Sequence, residues 1–592
     1  MEVADEADGC QSPGSQVTRT GIGSCESVHG ANASQRNRDG GLDMFASTSI
    51  ELDLSAAAKL RLLGWVALLC GGAIFNASMG SPQAAAAGAP PVRQCADLAK
   101  LTLEGNTTIT AAEIVTNGTF TTPAAQTISG LPEFCRVAGV SKPTAESNIN
   151  FEVWLPTKTW NGKFLSAGEG AFAGVISYTR LGLDGYLDEN VKRGYATAST
   201  DTGHLASDEF WAIGHPERVV DFGYRAKHLV TVAAKELITA LYGKGPDYSY
   251  YNSCSTGGRQ GLVEMQRYPD DYDGVVVGAP VSIQSNLYTS RAWMARLLAA
   301  PGASISAAKL SSIQSSAIAA CDKLDGAPDG LIEDPRKCGF DPSALLCTAE
   351  DNDKCLTAVQ VETVKKLYAG LSESTTGQQI PGHSRGGEAG WTSFARLIPQ
   401  ALEFFRGIVF EDKTWTFDKF DLKRDSAVTT AKVGPIMNAN GTDYSAAKAR
   451  RVKVIMYHGW ADPSIQPEFT VQLYEKIAEA NGGIDKTKAF FRLFMVPGMA
   501  HCASGPGASS FGGFSQQIPP IRDAAHDVQT ALEQWVEKGA VPDRMIASKY
   551  TDDAPATKTI KATRLLCAYP QVAKYKGVGD TQDSANFQCG VP

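Results

Sequence analysis

The chain has 592 residues, 55 Lys plus Arg against 63 Asp plus Glu, a net charge of −8 and a hydrophobic share of 43 %. That balance excludes a wholly disordered chain, and with no basic stripe a nucleic-acid partner is not expected. The length exceeds the about 250–300 residues of one ordinary domain, so two units or one enlarged domain are expected.

Residues 1–43 are rich in Gly, Ser, Asn and Gln without apolar periodicity, which predicts a disordered or non-native extension, with Met44 as an alternative start. Residues 44–88 read as a signal-peptide region. Lys59 and Arg61 precede an apolar run at 62–75, shorter than the ~20 residues a spanning helix needs. Small residues for cleavage follow at 84–88. A retained anchor and a lipoprotein attached through Cys70 are the alternatives. On the signal reading the mature protein is secreted or periplasmic, with no stable membrane span. Cys10, Cys25 and Cys70 leave with the leader, and ten of the 13 Cys remain. An even number in an oxidising compartment suggests up to five disulfides.

From about Cys95 to Pro280, strand-like runs at 151–155, 163–166, 194–199, 248–252 and 274–278 alternate with helical ones. Ala226, Leu229, Val230, Ala233, Leu237 and Leu241 fall at helical spacing within 221–242. This rhythm predicts an α/β fold with a mostly parallel sheet and helices on both faces. After Gln284 it stops: helical periodicity remains at 305–320 and 358–371, without a series of parallel strands. It returns with strands at 452–457 and 489–496 and helices at 467–480 and 524–538. The economical organisation is one α/β domain, 95–284 and 441–592, interrupted by an insertion at 285–440. Such an insertion sits at strand ends, where sites are built.

The stretch Asn252-Ser253-Cys254-Ser255-Thr256-Gly257-Gly258 leads from strand to tight turn to helix. Ser255 stands at the turn with small residues two places either side, Ser253 and Gly257. This is a variant of the nucleophile elbow, whose usual form has Gly at both places. An elbow presents the hydroxyl and turns the next N–H, that of Thr256, toward an oxyanion, helped by the helix N-terminus. A Gly-rich turn capped by Ser is the bland alternative, and the adjacent Cys254 is an alternative nucleophile. A serine nucleophile requires an acid and then a His later in the chain. Asp462 follows the strand at 452–457, and His501 lies in a Gly-containing loop after the strand at 489–496. His458 reads as a supporting residue, and His383 and His526 as surface residues. Cys254 directly precedes the candidate nucleophile and Cys502 directly follows the candidate base. A disulfide between them, with Cα atoms about 5.5–6 Å apart, would bring the two loops together.

Cys254-Ser255, Asp462 and His501-Cys502, in this order, resemble the tannase and feruloyl esterase family, which includes mono-hydroxyethyl-terephthalate hydrolases. Trp160-Asn161-Gly162-Lys163-Phe164 and Asp418-Lys419-Phe420-Asp421 are similar to family segments too. The resemblance covers nearly all of 95–592. It implies an α/β-hydrolase fold with a large inserted lid domain. It also implies the disulfides Cys95–Cys135, Cys254–Cys502, Cys321–Cys338, Cys347–Cys355 and Cys567–Cys589. A structural Ca²⁺ in the lid is implied at Asp322, Asp325 and Asp329, with the carbonyls of Ala327 and Leu331. An Asp-Gly loop of this kind is, by itself, also an ordinary turn. The segment Gly168-Glu169-Gly170-Ala171 resembles the family's Gly-rich turn after the strand at 163–166. Gly170 is taken as the second oxyanion donor beside Thr256, although Ala171 stands where a Gly is common.

The expected activity is a serine carboxylester hydrolase acting on small aromatic acid esters, gallate or ferulate esters by resemblance. Trp391, Phe394, Phe404, Phe405, Phe410 and Trp415 are candidates for an aryl-binding surface or for lid core. A terephthalate monoester hydrolase would need a cation for the free carboxylate, with Arg396 and Arg406 as candidates. Acyl transfer to an acceptor other than water, and a non-catalytic binding protein on the same fold, are the remaining readings.

Overall fold

The computed structural model describes residues 94–592 except Leu181, 373–378 and 552–558. The extension and signal region at 1–88, with Cys10, Cys25 and Cys70, lie outside the described residues.

Nine strands form one sheet: β1 (Thr107–Val115), β2 (Phe134–Ser141), β3 (Ile149–Pro156), β4 (Lys163–Ala167), β5 (Ala196–Thr200), β6 (Tyr248–Cys254), β7 (Gly274–Gly278), β8 (Lys453–Gly459) and β9 (Phe491–Val496). Their spatial order is β1-β2-β3-β5-β4-β6-β7-β8-β9. Pairs from β1 to β5 are antiparallel. Pairs from β5 onward are parallel.

The central strands are apolar on both sides because both faces are covered. Val275 and Val277 of β7 point into a core with helices α1 (Ala226–Tyr242) and α2 (Thr256–Arg267). Val276 points the other way, toward Leu532 and Trp535 of the helix Val528–Lys538. The sequence missed the antiparallel β1 and β2. The helix expected from 524 starts at Val528, so His526 precedes it, paired with Asp523 at 2.7 Å.

The insertion joins β7 to β8, neighbours in the sheet. It begins with α3 (Gln284–Leu298) and ends with a helix at Leu422–Met437. Two apolar cores hold it: Phe404, Phe405, Trp415 and Phe420 in one, and Ile313, Val364, Trp391 and Phe394 in the other. Five disulfides form, Cys95–Cys135, Cys254–Cys502, Cys321–Cys338, Cys347–Cys355 and Cys567–Cys589. All ten Cys after residue 94 are thus paired, as the resemblance implies. No helix among the described residues is long and apolar enough to cross a membrane.

Candidate active site

The site lies where β6, β8 and β9 end. Ser255 separates β6 from α2, with φ 65° and ψ −123°. An L-residue adopts that backbone only under constraint. Here the surroundings supply it: Ser255 N–H donates to Gly278 O at 3.0 Å. A Cβ at Gly257 would lie 1.9 Å from Ser253 Oγ, and one at Gly168 would lie 2.3 Å from it. Having Ser rather than Gly at 253 therefore requires glycine at both facing positions.

His501 Nε2 lies 2.9 Å from Ser255 Oγ, and His501 Nδ1 lies 2.7 Å from Asp462 Oδ2. A carboxylate only accepts, so Nδ1 carries the proton and Nε2 is left to accept from the serine hydroxyl. Asp462 is buried. Its Oδ1 accepts from the N–H groups of Ser464 (2.7 Å) and Ile465 (3.1 Å), and its Oδ2 also faces His458 Nε2 at 3.0 Å. Burial alone would raise the Asp462 carboxyl. The charge of His501 and the hydrogen bonds of both histidines outweigh it and hold the carboxyl below its usual range. His458 Nε2 faces both Asp462 and the carbonyl of Ile465, two acceptors, so it is the protonated nitrogen and Nδ1 accepts from Thr470 Oγ1 at 2.7 Å. Its supporting role is as expected.

The Cys254–Cys502 disulfide, with Cα atoms 5.9 Å apart, joins the residues flanking Ser255 and His501. It also removes Cys254 as an alternative nucleophile, since its sulfur is bonded.

The turn after β4 reaches the same place. Thr256 Oγ1 donates to Ala171 O at 2.5 Å. Glu169 is buried and paired with Lys227 Nζ at 2.9 Å, which fixes the turn from beneath. Gly170, Ala171 and Thr256 all border the cavity above Ser255. Thr256 opens α2, so its N–H lies in the first turn, where no intrahelical acceptor exists. A Cβ at Gly170 would meet nothing within 4 Å.

The cavity has a volume of about 690 Å³. Its aromatic surface comes from Tyr178, Tyr186, Tyr288 and Phe514. None of the six lid aromatics named from the sequence lines it: five are buried in the insertion's cores and Phe410 packs against one of them. The four rings that do line it sit on separate segments and share no sequence pattern. Arg396 borders the cavity, whereas Arg406 does not: its Nε donates to Trp415 O at 2.7 Å. The surface reading of His383 is corrected. It is buried against Phe394 and Trp391, and burial pushes its imidazole down to about 4. A polar residue in an insertion reads as exposed until the rings that cover it are placed.

At the far side of the insertion, Gly326 (φ 85°) and Gly330 (φ 81°) make the turns of the Asp322–Leu331 loop. Asp322 Oδ1 accepts from Asp329 and Gly330 N–H, Asp325 Oδ1 from Ala327 N–H, and Asp329 Oδ1 from Leu331 N–H. Arg564, from the C-terminal hairpin, pairs with Asp329, Asp325 and Glu333. Burial raises the carboxyls of Asp325, Asp329 and Glu333 despite that guanidinium. One cation faces several buried carboxylates, and an all-oxygen donor set of this kind suits a hard divalent cation.

A mostly parallel sheet with a strained serine turn, a histidine and a buried aspartate at its strand ends is the arrangement of a serine hydrolase of the α/β-hydrolase fold. Comparison with known proteins narrows the class. The sequence profile described as "Tannase and feruloyl esterase" matches residues 135–590. An uncharacterized esterase of Xanthomonas campestris pv. campestris is 39 % identical over 565 residues, covering 90 % of this chain and 96 % of that protein. A probable feruloyl esterase B-1 of Aspergillus flavus is 33 % identical, covering 77 % and 86 %. The crystal structure of feruloyl esterase B from Aspergillus oryzae superposes with a TM-score of 0.78 at 30 % identity, covering 83 % of this chain and 98 % of that one. Tannin acyl hydrolase from Aspergillus niger shares the fold, with a TM-score of 0.67 at 22 % identity over 84 % and 94 %. The chain belongs to the tannase and feruloyl esterase family and is a carboxylic ester hydrolase.

Proposed function

We propose that the chain hydrolyses esters of phenolic acids through a Ser255–His501–Asp462 triad. The observation that carries this is the continuous path from Ser255 Oγ to His501 Nε2 (2.9 Å) and from His501 Nδ1 to Asp462 Oδ2 (2.7 Å). Ser255 Oγ attacks the ester carbonyl carbon while His501 Nε2 takes its proton. The tetrahedral oxyanion is held by the N–H groups of Thr256 and Gly170. The carbonyl re-forms, the C–O bond to the alcohol breaks, and His501 returns the proton to the leaving oxygen. Water, deprotonated by His501, then attacks the acyl-enzyme, releasing the acid and restoring Ser255. Asp462 orients the ring and offsets the imidazolium charge.

The insertion acts as a lid. Asp322, Asp325 and Asp329, with the Ala327 and Leu331 carbonyls, would hold a structural Ca²⁺, which when bound would offset the buried negative charge of this loop. The apolar run at 62–75 and the full pairing of the later Cys support export to an oxidising compartment.

A terephthalate monoester hydrolase is the second reading, favoured by Arg396 at the cavity wall. A panel of methyl ferulate, methyl gallate and a terephthalate monoester, run on wild type and Ser255→Ala, tests both. Turnover of methyl ferulate or methyl gallate that disappears in the variant is expected. Undiminished turnover by Ser255→Ala would sink the nucleophile assignment, and turnover of the terephthalate ester alone would favour the second reading.

A further inference from the structure

Three side chains of the kind that bind metals meet at the end of the sheet away from Ser255. His228 comes from α1, Glu264 from α2 and Asp271 from the turn that leads into β7. β6 and β7 are parallel, so Ser255 after β6 and Asp271 before β7 stand at opposite ends of the sheet. One donor atom from each of the three, an imidazole nitrogen or a carboxylate oxygen, lies within 4.8 Å of the other two.

The first two of these groups are positioned by their neighbours. The His228 ring stacks on Tyr268 with centroids 3.8 Å apart, and its Nδ1 faces Asp271 Oδ2 at 2.7 Å. Asp271 N–H donates to Tyr268 O at 3.0 Å, which holds the turn.

Glu264 is different. It is 1 % exposed, yet neither carboxylate oxygen has a hydrogen-bond partner among the described residues. Lys227 and Lys235 lie near it but are engaged elsewhere. Lys227 Nζ donates to Ala167 O (2.6 Å) and Glu169 Oε1 (2.9 Å), and Lys235 Nζ to the carbonyls of Asp270 (3.2 Å) and Asp271 (2.5 Å). A buried carboxylate is normally met by donors or opposite charge. Here it meets a second carboxylate, and burial together with Asp271 pushes the Glu264 carboxyl well above its usual range.

A divalent cation between the two carboxylates removes that conflict. One imidazole nitrogen with two carboxylate oxygens suits Zn²⁺, in contrast to the all-oxygen loop at Asp322–Leu331. Atoms held about 2.0–2.2 Å from a tetrahedral ion lie about 3.3–3.6 Å from one another. The separations here, from 2.7 Å to at most 4.8 Å, bracket that spacing. The His228 side chain is 28 % exposed, which leaves an entry path and a place for water as the fourth ligand.

We infer that His228 Nδ1, Glu264 and Asp271 form a structural Zn²⁺ site joining α1, α2 and the turn before β7. On binding, Glu264 releases its proton to solvent, and the neutral His228 ring carries its proton on Nε2 so that Nδ1 can ligate. The site lies behind the nucleophile elbow. α2 starts directly after Ser255, and Ser255 N–H donates to Gly278 O at the end of β7. The ion would pin the far ends of both segments.

The test titrates Zn²⁺ into the purified enzyme by isothermal calorimetry after metal is stripped, with excess Ca²⁺ present throughout to fill any hard-cation site. Two buffers of different ionisation enthalpy count the protons released. Wild type is expected to bind one Zn²⁺ at this site, release about one proton and gain a few degrees in melting temperature. Glu264→Gln keeps the shape of the buried side chain, and His228→Gln alters a partly exposed one. Each is expected to weaken binding by more than about tenfold, since even an outer-shell partner is worth about 10- to 100-fold. Each should also abolish the melting shift. Zn²⁺ binding unchanged in both variants would place the ion elsewhere and overturn the inference. No Zn²⁺ binding by wild type would overturn it as well, the more so if Glu264→Gln stabilises the metal-free protein, because Glu264 and Asp271 then only share a proton.

Discussion

Two clusters of buried carboxylate chemistry differ in how their charge is settled. Asp462 meets two backbone N–H groups and two imidazoles within one loop system, and its carboxyl stays below the usual range. Asp325, Asp329 and Glu333 share the single guanidinium of Arg564, and burial pushes all three upward. Removing a carboxylate from water must be offset by donors or by opposite charge. The first cluster does this from within the chain. The second has one guanidinium for three carboxylates, and the proposed divalent cation would offset the remainder. The first is therefore expected to control turnover and the second stability, and each prediction below separates these roles.

The largest effect is expected from Ser255→Ala: kcat/KM for an aryl ester falls by at least about 10⁴-fold. The melting temperature, read by scanning calorimetry, stays within a degree or two of wild type. A large drop in melting temperature would show that Ser255 holds the fold as well as the chemistry.

Next comes the joint replacement Cys254→Ser with Cys502→Ser. Freed of the bridge, the Ser255 and His501 loops lose their fixed separation, and small misplacements cost about 100-fold in rate. Loss of a long-loop disulfide also costs about 2–5 kcal/mol. Steady-state kinetics with denaturant titration should show both losses; full activity in the folded variant would contradict the clamp.

Chelation should act the other way round. Taking away a cation held at about 100 times its dissociation constant costs about 2.7 kcal/mol, which for a chain of this size is at least several degrees in melting temperature. EGTA, or Asp329→Asn, is expected to lower the melting temperature while leaving kcat at 25 °C within about threefold. An EGTA-insensitive melting curve would remove the calcium reading.

The smallest effect is on the acid side. His204 and His383 are buried, and burial pushes both imidazoles down to about 4. The folded state holds them neutral while the unfolded chain protonates them from about 6.5. Stability is therefore fully present above the unfolded value and lost as pH falls from about 6.5 through about 4. His383→Phe should flatten part of that fall in thermal melts between pH 7 and 4.5. An unchanged slope would place the loss elsewhere.

The geometry of the candidate cluster was legible because local rules act on it: an elbow needs small flanks, and the acid and base follow strands in a fixed order. The adjacent Cys added a distance constraint that sequence rarely offers. The strand β1 escaped because Thr107–Val115 carries Thr, Ala and Glu at an edge and shows no apolar run. The cavity rings Tyr178, Tyr186, Tyr288 and Phe514 escaped because long-range packing alone gathers them. The lid aromatics, open in the sequence between an aryl-binding surface and lid core, are core: the insertion needs cores of its own, and Phe404 and Phe405 fill one.

The most direct test is mass spectrometry of wild type quenched early in turnover of an aryl ester, with peptides mapped under non-reducing conditions. The triad account predicts the acyl mass on the peptide carrying Ser255, still disulfide-linked to the peptide carrying His501, and none in Ser255→Ala. An acyl group on any other residue, or retained in Ser255→Ala, would contradict it.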